Sequence, residues 1–590
     1  MHNDEILKSR EFSRRALMLA FGKAGLMGIL ASRLYYLQII KSKEYKTLSD
    51  KNSIKISLTP APRGHILDRF DNLLAVNKNN YRVLLDKEYA VNAEESINKL
   101  AAILLIDNEA VGKLINKVKK HNSYNSIILL DYLSFQEVIK IEVNAINLPG
   151  IFVEVGQIRH YDFGDLCAHI IGYVSAPSEI ESKSHPLMRH PDMQIGKYGL
   201  EKTQDKLLTG KALVKRIEVD AHGHVIRELS REESVPGNNL KLTIDIKLQN
   251  FLSKQLSEQG AAAIVLDATN GEILAMNSSP SFDPNYFTTG ISAYEWEKLL
   301  NNPYHPLINK VIAQSFSPGS SFKMVVGLAG LSGGVDPEFR VNCTGGITLG
   351  ERKFHCMRSH GHVNLIDAIT YSCNSYFYTI GQLVGIDRIA DIALKLGFGK
   401  KSDIELQGEL PGLIPTKKWK KQKYNQEWQM GDTYNSSIGQ GYILTNLLQL
   451  AVMCGRIATG KQISPHLIAG TNNNFIQNID INKSHLNIIR AGMENVVNKP
   501  GGTAYNNRII GDNMKMAGKT GTAQVISKQH KEDLSAHTTQ WHHRNHALFV
   551  SYAPIHNPKY VCAVIVEHGA SGSGAAAPIA RDILTEAQNS

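Results

Sequence analysis

Two apolar hairpin signals, far apart along the chain, constrain the fold most. Residues 260–280 read GAAAIVLDATNGEILAMNSSP, two apolar runs around a turn-forming DATNG. Residues 546–569 read HALFVSYAP, IHNPK, then KYVCAVIVEHG, again strand, turn, strand. A third strand is expected just before, in MKMAGKTGTAQVIS (514–527). Helical, loop-rich sequence lies between, and AAAPIARDILTEAQ closes the chain as a helix with Pro578 near its start. Hairpins at both ends of one region with helices between them predict an α+β domain, its antiparallel sheet completed by both ends and flanked by helices.

That domain needs only part of the chain. At 590 residues the protein exceeds a single core. The composition shifts near Pro236-Gly237, which places the hairpin-bounded domain at 236–590. Upstream, 41–235 reads as an elongated pedestal or dimerisation-like module without a compact nucleophile–base set. IKISLTPAPRGHILDRFDNLLAVN predicts a strand, a Pro-rich turn at Pro60 and Pro62, and a hairpin turning at Asp71-Asn72. Residues 92–145 show helical spacing, and 150–235 short strands and Gly-rich turns.

Further upstream, 16–40 is apolar enough for a transmembrane anchor if Lys23 and Arg33 are tolerated. Arg33 can snorkel near the far end, and Tyr35 and Tyr36 suit an interface. A mid-span Lys costs about 3 kcal/mol on insertion scales, so Lys23 is the weak point, and a buried amphipathic helix is the competing reading. Lys8, Arg10, Arg14 and Arg15 precede the span, which predicts a cytoplasmic tail over 1–15 and an uncleaved, single-pass topology. The formal charge of +10 is modest for this length, and no nucleic-acid-binding motif accompanies it, so a nucleic-acid partner is not expected.

Three short motifs carry the chemistry. In SFSPGSSFK, Pro318-Gly319 forms a turn, and Ser320 sits at the first turn of the following helix with Lys323 on the same face. A serine needs a base, and a desolvated lysine near another cation is one. In YSCNSYFY, Ser372 and Asn374 point the same way and combine a proton-relaying hydroxyl with an amide. In AGKTGTAQV, strand alternation puts Lys519 and Gly521 on one face and Thr520 on the other. Gly521 admits close approach to the backbone, and Thr522 adds a hydroxyl and an N–H. Each motif alone is as well read as a capped helix or a solvated strand.

In this order the three motifs match those of β-lactamases and penicillin-binding proteins. The chain resembles the penicilloyl-serine transferases, and the flanking IGKYGLEKTQDKLLTG, VLDATNGEILAM, NSSIGQGYILTNLLQLA and KTGTAQ resemble class B penicillin-binding proteins. The elongation branch, penicillin-binding protein 2, is nearer than the septal branch, penicillin-binding protein 3. The resemblance implies a D,D-transpeptidase of the bacterial inner membrane with its catalytic domain in the periplasm. Ser320 would attack the D-Ala-D-Ala bond of a peptidoglycan stem peptide, and a neighbouring stem-peptide amine would take the acyl group. It further implies Lys323 as base, Ser372 as relay, Asn374 as support, and Lys519 with Thr520, Gly521 and Thr522 as carboxylate site. The backbone N–H groups of Ser320 and Thr522 would form the oxyanion hole. β-Lactams would acylate Ser320, and a SEDS-family glycosyltransferase and other elongation proteins would be partners. Other readings are a DD-carboxypeptidase or β-lactamase, for which no deacylating base is assignable, and a β-lactam sensor or scaffold.

The acyl transfer needs no cofactor. Three of the six cysteines nevertheless fall in one short stretch with His355, His360 and His362. Cys343, Cys356, His362 and Cys373 are a possible structural zinc set, and the family resemblance includes members with zinc near the active site. A disulfide and buried free thiols compete with it. Around His542, His543 and His546 an ordinary loop before a strand is expected.

Overall fold

The computed structural model describes residues 2–42, 54–87, 89–90, 92–120, 127–219, 225–256, 259–471, 476–525 and 541–589. The side chains of 1–15, including Lys8, Arg10, Arg14 and Arg15, lie outside the described residues. So does the end of the expected third strand, Ile526 and Ser527. The N-terminal helix His2–Tyr35 runs on into a further turn at Tyr36–Ile40. Its segment Ala16–Ile40 is 25 residues long, fully unburied and apolar enough to cross a bilayer.

The pedestal is built on the long strand Leu73–Leu85, which pairs with Ile66–Leu67, Ile127–Leu133 and Ile151–Tyr161. The turn before it sets Asp71 at φ 66°, accommodated because an aspartate tolerates the left-handed region. A second sheet orders Ile54–Thr59, Leu213–Val219 and Val225–Glu232. Helices Ala93–Leu104, Asn108–Lys120 and Phe135–Val143 cover the long strand and enclose Val83, Leu85, Ile97, Leu100 and Ile141. The helical expectation over 92–145 is interrupted by Ile127–Leu133, where a β-branched start and pairing with Tyr81–Leu85 outweigh helical spacing.

A buried ionic knot ties the pedestal together. Glu201 is fully buried and accepts from Arg63 Nε at 2.6 Å and Arg159 Nε at 2.7 Å. Burial alone would raise its pKa; Arg159 and Arg63 outweigh burial and hold it below the ordinary carboxylate value. Just past Pro236-Gly237, Leu240–Lys241 pairs in parallel with Ile66–Leu67, and Leu242 bridges to Ile468. The junction is therefore a shared sheet edge rather than a free linker.

In the C-terminal domain the strands run, in order, Ile273–Ser279, Ala261–Asp267, Tyr560–Val566, His546–Ala553 and Ala517–Ala523, all antiparallel. Ala261 opposes Val566, so the two sequence-distant hairpins do complete one sheet. Every residue of Ala261–Asp267 is buried, which requires both faces to be covered. Ile246–Leu256 and Ala577–Asn589 pack together on the sheet, as do Leu447–Thr459 and Lys483–Asn498. The Lys519 strand is left at the sheet edge, against the turn that carries Ser320.

Candidate active site

Ser320 lies in a one-turn 3-10 segment, Gly319–Phe322, that leads into the apolar helix Lys323–Ser332. Gly319 has φ 57°, and a Cβ there would strike the Thr522 carbonyl. The turn also abuts Gly439, whose carbonyl accepts from Gly319 N at 2.9 Å. Glycine is needed here because two backbones press against the turn. Ser321 Oγ donates to Pro318 O at 2.7 Å and braces it. Ser320 itself is half-exposed, while Lys323 is fully buried.

Lys323 Nζ donates to Ser372 O at 2.8 Å, Ser372 Oγ at 3.0 Å and Asn374 Oδ1 at 2.6 Å. Burial pushes its ammonium down to about 8, against the sulfurs of Cys356 and Cys373, which pull it up. Ser372 has φ 55° and precedes the helix Asn374–Lys395. Asn374 Nδ2 donates to His355 O at 2.9 Å, which fixes the amide so that its oxygen faces Lys323.

From the opposite wall Lys519 Nζ donates to Ser372 Oγ at 3.1 Å. Lys519 is fully buried, and burial together with the charge of Lys323 holds its pKa well below normal. Ser372 Oγ therefore sits between two ammonium groups as acceptor, leaving its own hydrogen for a third partner. Thr520 Oγ1 lies 2.9 Å from Thr503 Oγ1, and Gln440 Nε2 donates to Thr522 O at 3.0 Å. A Cβ on Gly521 would press on Leu548 Cβ and Pro318 O. The structure thus brings Ser320, Lys323, Ser372, Asn374, Lys519, Thr520, Gly521 and Thr522 to one cleft. Gln440 and Thr503 brace the strand, and neither belongs to one of the three sequence motifs. The only signal for Gln440 is its flanking glycines, Gly439 and Gly441, both at positive φ.

Behind the second motif, Cys343, Cys356, His360 and Cys373 hold their ligand atoms within 4.8 Å of one another. The histidine of this cluster is His360, not His362. His362 lies in the strand Gly361–Val363 opposite Asn342 and is exposed, whereas His360 Nδ1 lies 3.5 Å from Cys343 Sγ and 3.4 Å from Cys356 Sγ. All six cysteines are free thiols. Cys356 and Cys373 sulfurs are 4.0 Å apart, close to the roughly 3.8 Å that bonds of about 2.3 Å give around a tetrahedral zinc and far from a disulfide. Three soft sulfurs and one imidazole fit that metal.

Residues 261–585 match the penicillin binding protein transpeptidase domain, and residues 58–242 match the penicillin-binding protein dimerisation domain. The chain belongs to the class B penicillin-binding proteins. The peptidoglycan D,D-transpeptidase MrdA of Haemophilus influenzae is 32% identical, over 97% of this chain and 91% of its own length. Penicillin-binding protein 2 from Helicobacter pylori, solved in complex with MreC, superposes with a TM-score of 0.81 at 31% identity, over 91% of this chain and 99% of its own. A chain from a solved peptidoglycan synthase complex that coordinates polymerization and crosslinking matches with a TM-score of 0.71 at 26% identity, covering 97% and 98%. This class B penicillin-binding protein is an elongation-type peptidoglycan D,D-transpeptidase and a serine acyl-transferase, a reading favoured over the septal, hydrolytic and sensor alternatives.

Proposed function

We propose that this D,D-transpeptidase works through Ser320, with the two lysines dividing the proton and the carboxylate between them. As a neutral amine Lys323 keeps two donors for its three acceptors and has a lone pair for the Ser320 proton. Ser320 Oγ attacks the carbonyl carbon of the penultimate D-Ala. The backbone N–H groups of Ser320 and Thr522 hold the oxyanion, on backbones that the Gly319 turn brings into contact. The C–N bond breaks as Ser372 passes its proton to the leaving nitrogen and is reprotonated from Lys323. Free D-Ala departs, leaving an ester on Ser320. Lys519 and Thr522 hold the donor's terminal carboxylate, with Thr520 and Gly521 shaping the strand beneath it. A neighbouring stem-peptide amine then attacks the ester, loses a proton through Ser372, and Ser320 leaves with a proton restored. β-Lactams enter by the first half of this cycle.

The observation that carries the assignment is Ser372 Oγ bridging the two buried lysines, a desolvated arrangement that a purely structural site has no reason to keep. Mass spectrometry after incubation with labelled penicillin tests it: one adduct on Ser320 is expected, and none in Ser320→Ala. Labelling that persists in that variant overturns the assignment.

Zinc held by Cys343, Cys356, His360 and Cys373 would pin the Ser372 loop from behind, without a part in the bond chemistry. The Ala16–Ile40 helix crosses the bacterial inner membrane once, with the N-terminus cytoplasmic and the catalytic domain periplasmic; the basic flank in the sequence supports this direction. The chain works with a SEDS-family glycosyltransferase and other elongation proteins. The relatives solved with MreC and in a synthase complex support this, as does an exposed apolar stripe at Phe135, Ile139 and Val143 on one face of the pedestal helix.

A further inference from the structure

Beside the catalytic cleft lies a helix that the acyl-transfer chemistry does not use. Lys417–Tyr424 reads KKWKKQKY, five lysines in eight residues. Lys420 is buried and bound to Asp432, and Lys421 pairs with Glu427. Among the described residues no carboxylate pairs with Lys417, Lys418 or Lys423, and all three are exposed. Cations this dense on about two turns of helix repel one another, and a bound anion relieves that repulsion.

Aromatic rings are set into the same surface. Trp419 packs edge-on against Tyr424 at 5.6 Å and against Tyr442 at 5.3 Å, and Tyr424 lies 5.7 Å from Tyr442. Trp428 adds a fourth ring 6.3 Å from Tyr442. Lys423 stands 5.9 Å over Trp419. Tyr424 is 46% exposed, so the cluster is not a closed core. A ring held rigid and half-open is a face for a flat ligand, and here it stands among ammonium groups that no described carboxylate pairs. The position is also fixed relative to the chemistry. Tyr442 is two residues from Gln440, whose amide holds the Thr522 carbonyl of the catalytic strand.

We propose that this basic–aromatic surface is a peptidoglycan-strand subsite. A sugar ring of an uncross-linked strand lies on the exposed Tyr424, held in place by Trp419 and Tyr442, and carboxylates of its acidic stem peptides meet Lys417, Lys418 and Lys423. The inference rests on the transpeptidase reading and deepens it: the surface retains a strand beside the cleft while individual stem peptides enter and leave. An anionic membrane surface is the competing ligand. The helix favours the strand, because its only large apolar side chains are the ring cluster itself, which is packed against neighbouring rings rather than directed outward as a wedge.

The full-length protein tests this in three arms. Purified uncross-linked peptidoglycan strands are cosedimented with it at low and high salt, vesicles containing phosphatidylglycerol are floated with it, and labelled penicillin measures acylation. The triple variant Lys417→Gln, Lys418→Gln, Lys423→Gln is expected to lose strand binding by about tenfold at low salt, with a flatter salt dependence, at three weak ion contacts removed. Penicillin acylation and vesicle binding stay at the wild-type level. Tyr424→Ala removes an exposed ring and no charge, and it too weakens strand binding with acylation intact. Strand binding unchanged in both variants overturns the proposal, as does a loss confined to vesicles, or a loss of acylation in step with strand binding in both. Absence of penicillin labelling in the wild type would instead refute the transpeptidase reading, independently of the sedimentation arm.

Discussion

Raising the pH from 7 to 9 takes the buried Lys323 from ammonium to amine. Burial takes Lys323 from an ordinary lysine at 10.5 to about 8, partly opposed by the Cys356 and Cys373 sulfurs. That displacement corresponds to about 3 kcal/mol in favour of the neutral amine. Only the neutral amine can take the Ser320 proton. At pH 7 about one-tenth of the molecules hold Lys323 neutral, and at pH 9 about nine-tenths do. At saturating labelled penicillin, where the hold of Lys519 on the carboxylate no longer limits, the acylation rate should therefore rise about tenfold between these two values. Unfolding does not produce this profile. Between about 8 and 10.5 the unfolded chain carries a proton the folded chain has released, so raising the pH through that window favours the folded state. Lys323→Arg is the matched control: a guanidinium keeps its proton throughout, and acylation should be low at every pH. A wild-type rate that is flat within twofold from pH 7 to 9, or that declines, refutes Lys323 as the base. So does an arginine variant that retains both rate and slope.

Other consequences are as direct. Gly319→Ala places a Cβ against the Thr522 carbonyl in a left-handed backbone, and should cost at least about 2 kcal/mol and nearly all acylation, read by thermal melting and penicillin labelling. Glu201→Gln leaves Arg159 buried without a counter-charge and Arg63 with Asp205 alone; calorimetry should show the pedestal destabilised by roughly 3–5 kcal/mol while Ser320 still labels. The same knot is present in full above the ordinary carboxylate value and is lost as pH falls through the lowered pKa of Glu201, so thermal stability should drop in acid in the wild type and less steeply in Glu201→Gln. One zinc per chain is expected by elemental analysis, lost in Cys343→Ser; metal-free protein as purified would refute the zinc reading.

The parts of this fold that were readable from sequence are those in which one local signal suffices. DATNG and IHNPK mark their hairpins because the turn residues sit between uniformly apolar runs, and the closure of the sheet by Ala261 against Val566 follows from having two hairpins that each need a partner. The motif residues were readable because each carries chemistry that its neighbours do not. Contacts that depend on packing were not. Gln440 and Thr503 are ordinary polar residues whose role appears only when the Lys519 strand is laid against them. Glu201, within GKYGLEK, looks like a surface glutamate until Arg63 and Arg159 arrive from two other strands or turns. The exchange of His360 for His362 has the same origin. Spacing treats the two alike, but pairing of His362 with Asn342 puts that residue in a strand, and the turn before it swings His360 toward the sulfurs.

The placement of the cysteine cluster bears on why Ser372 can do its work. A non-glycine residue at φ 55° costs about 1–2 kcal/mol and relaxes unless its surroundings hold it. Ser372 N donates to Ile369 O and Cys373 N to Ala368 O, which ties the loop to the preceding helix. On the other side Asn374 N donates to Cys356 Sγ at 3.2 Å, and the Asn374 amide is held by His355 O. The two residues flanking Cys373 thus face the lysines while Cys373 itself faces the sulfurs. A ligand set that contracts around one ion would fix Cys373, and through the shared backbone would fix the Oγ of Ser372 between Lys323 and Lys519. If zinc is held there, its removal should accordingly slow acylation, because the geometry of the relay changes. A metal-free protein whose rate is unchanged would separate the cluster from the relay altogether.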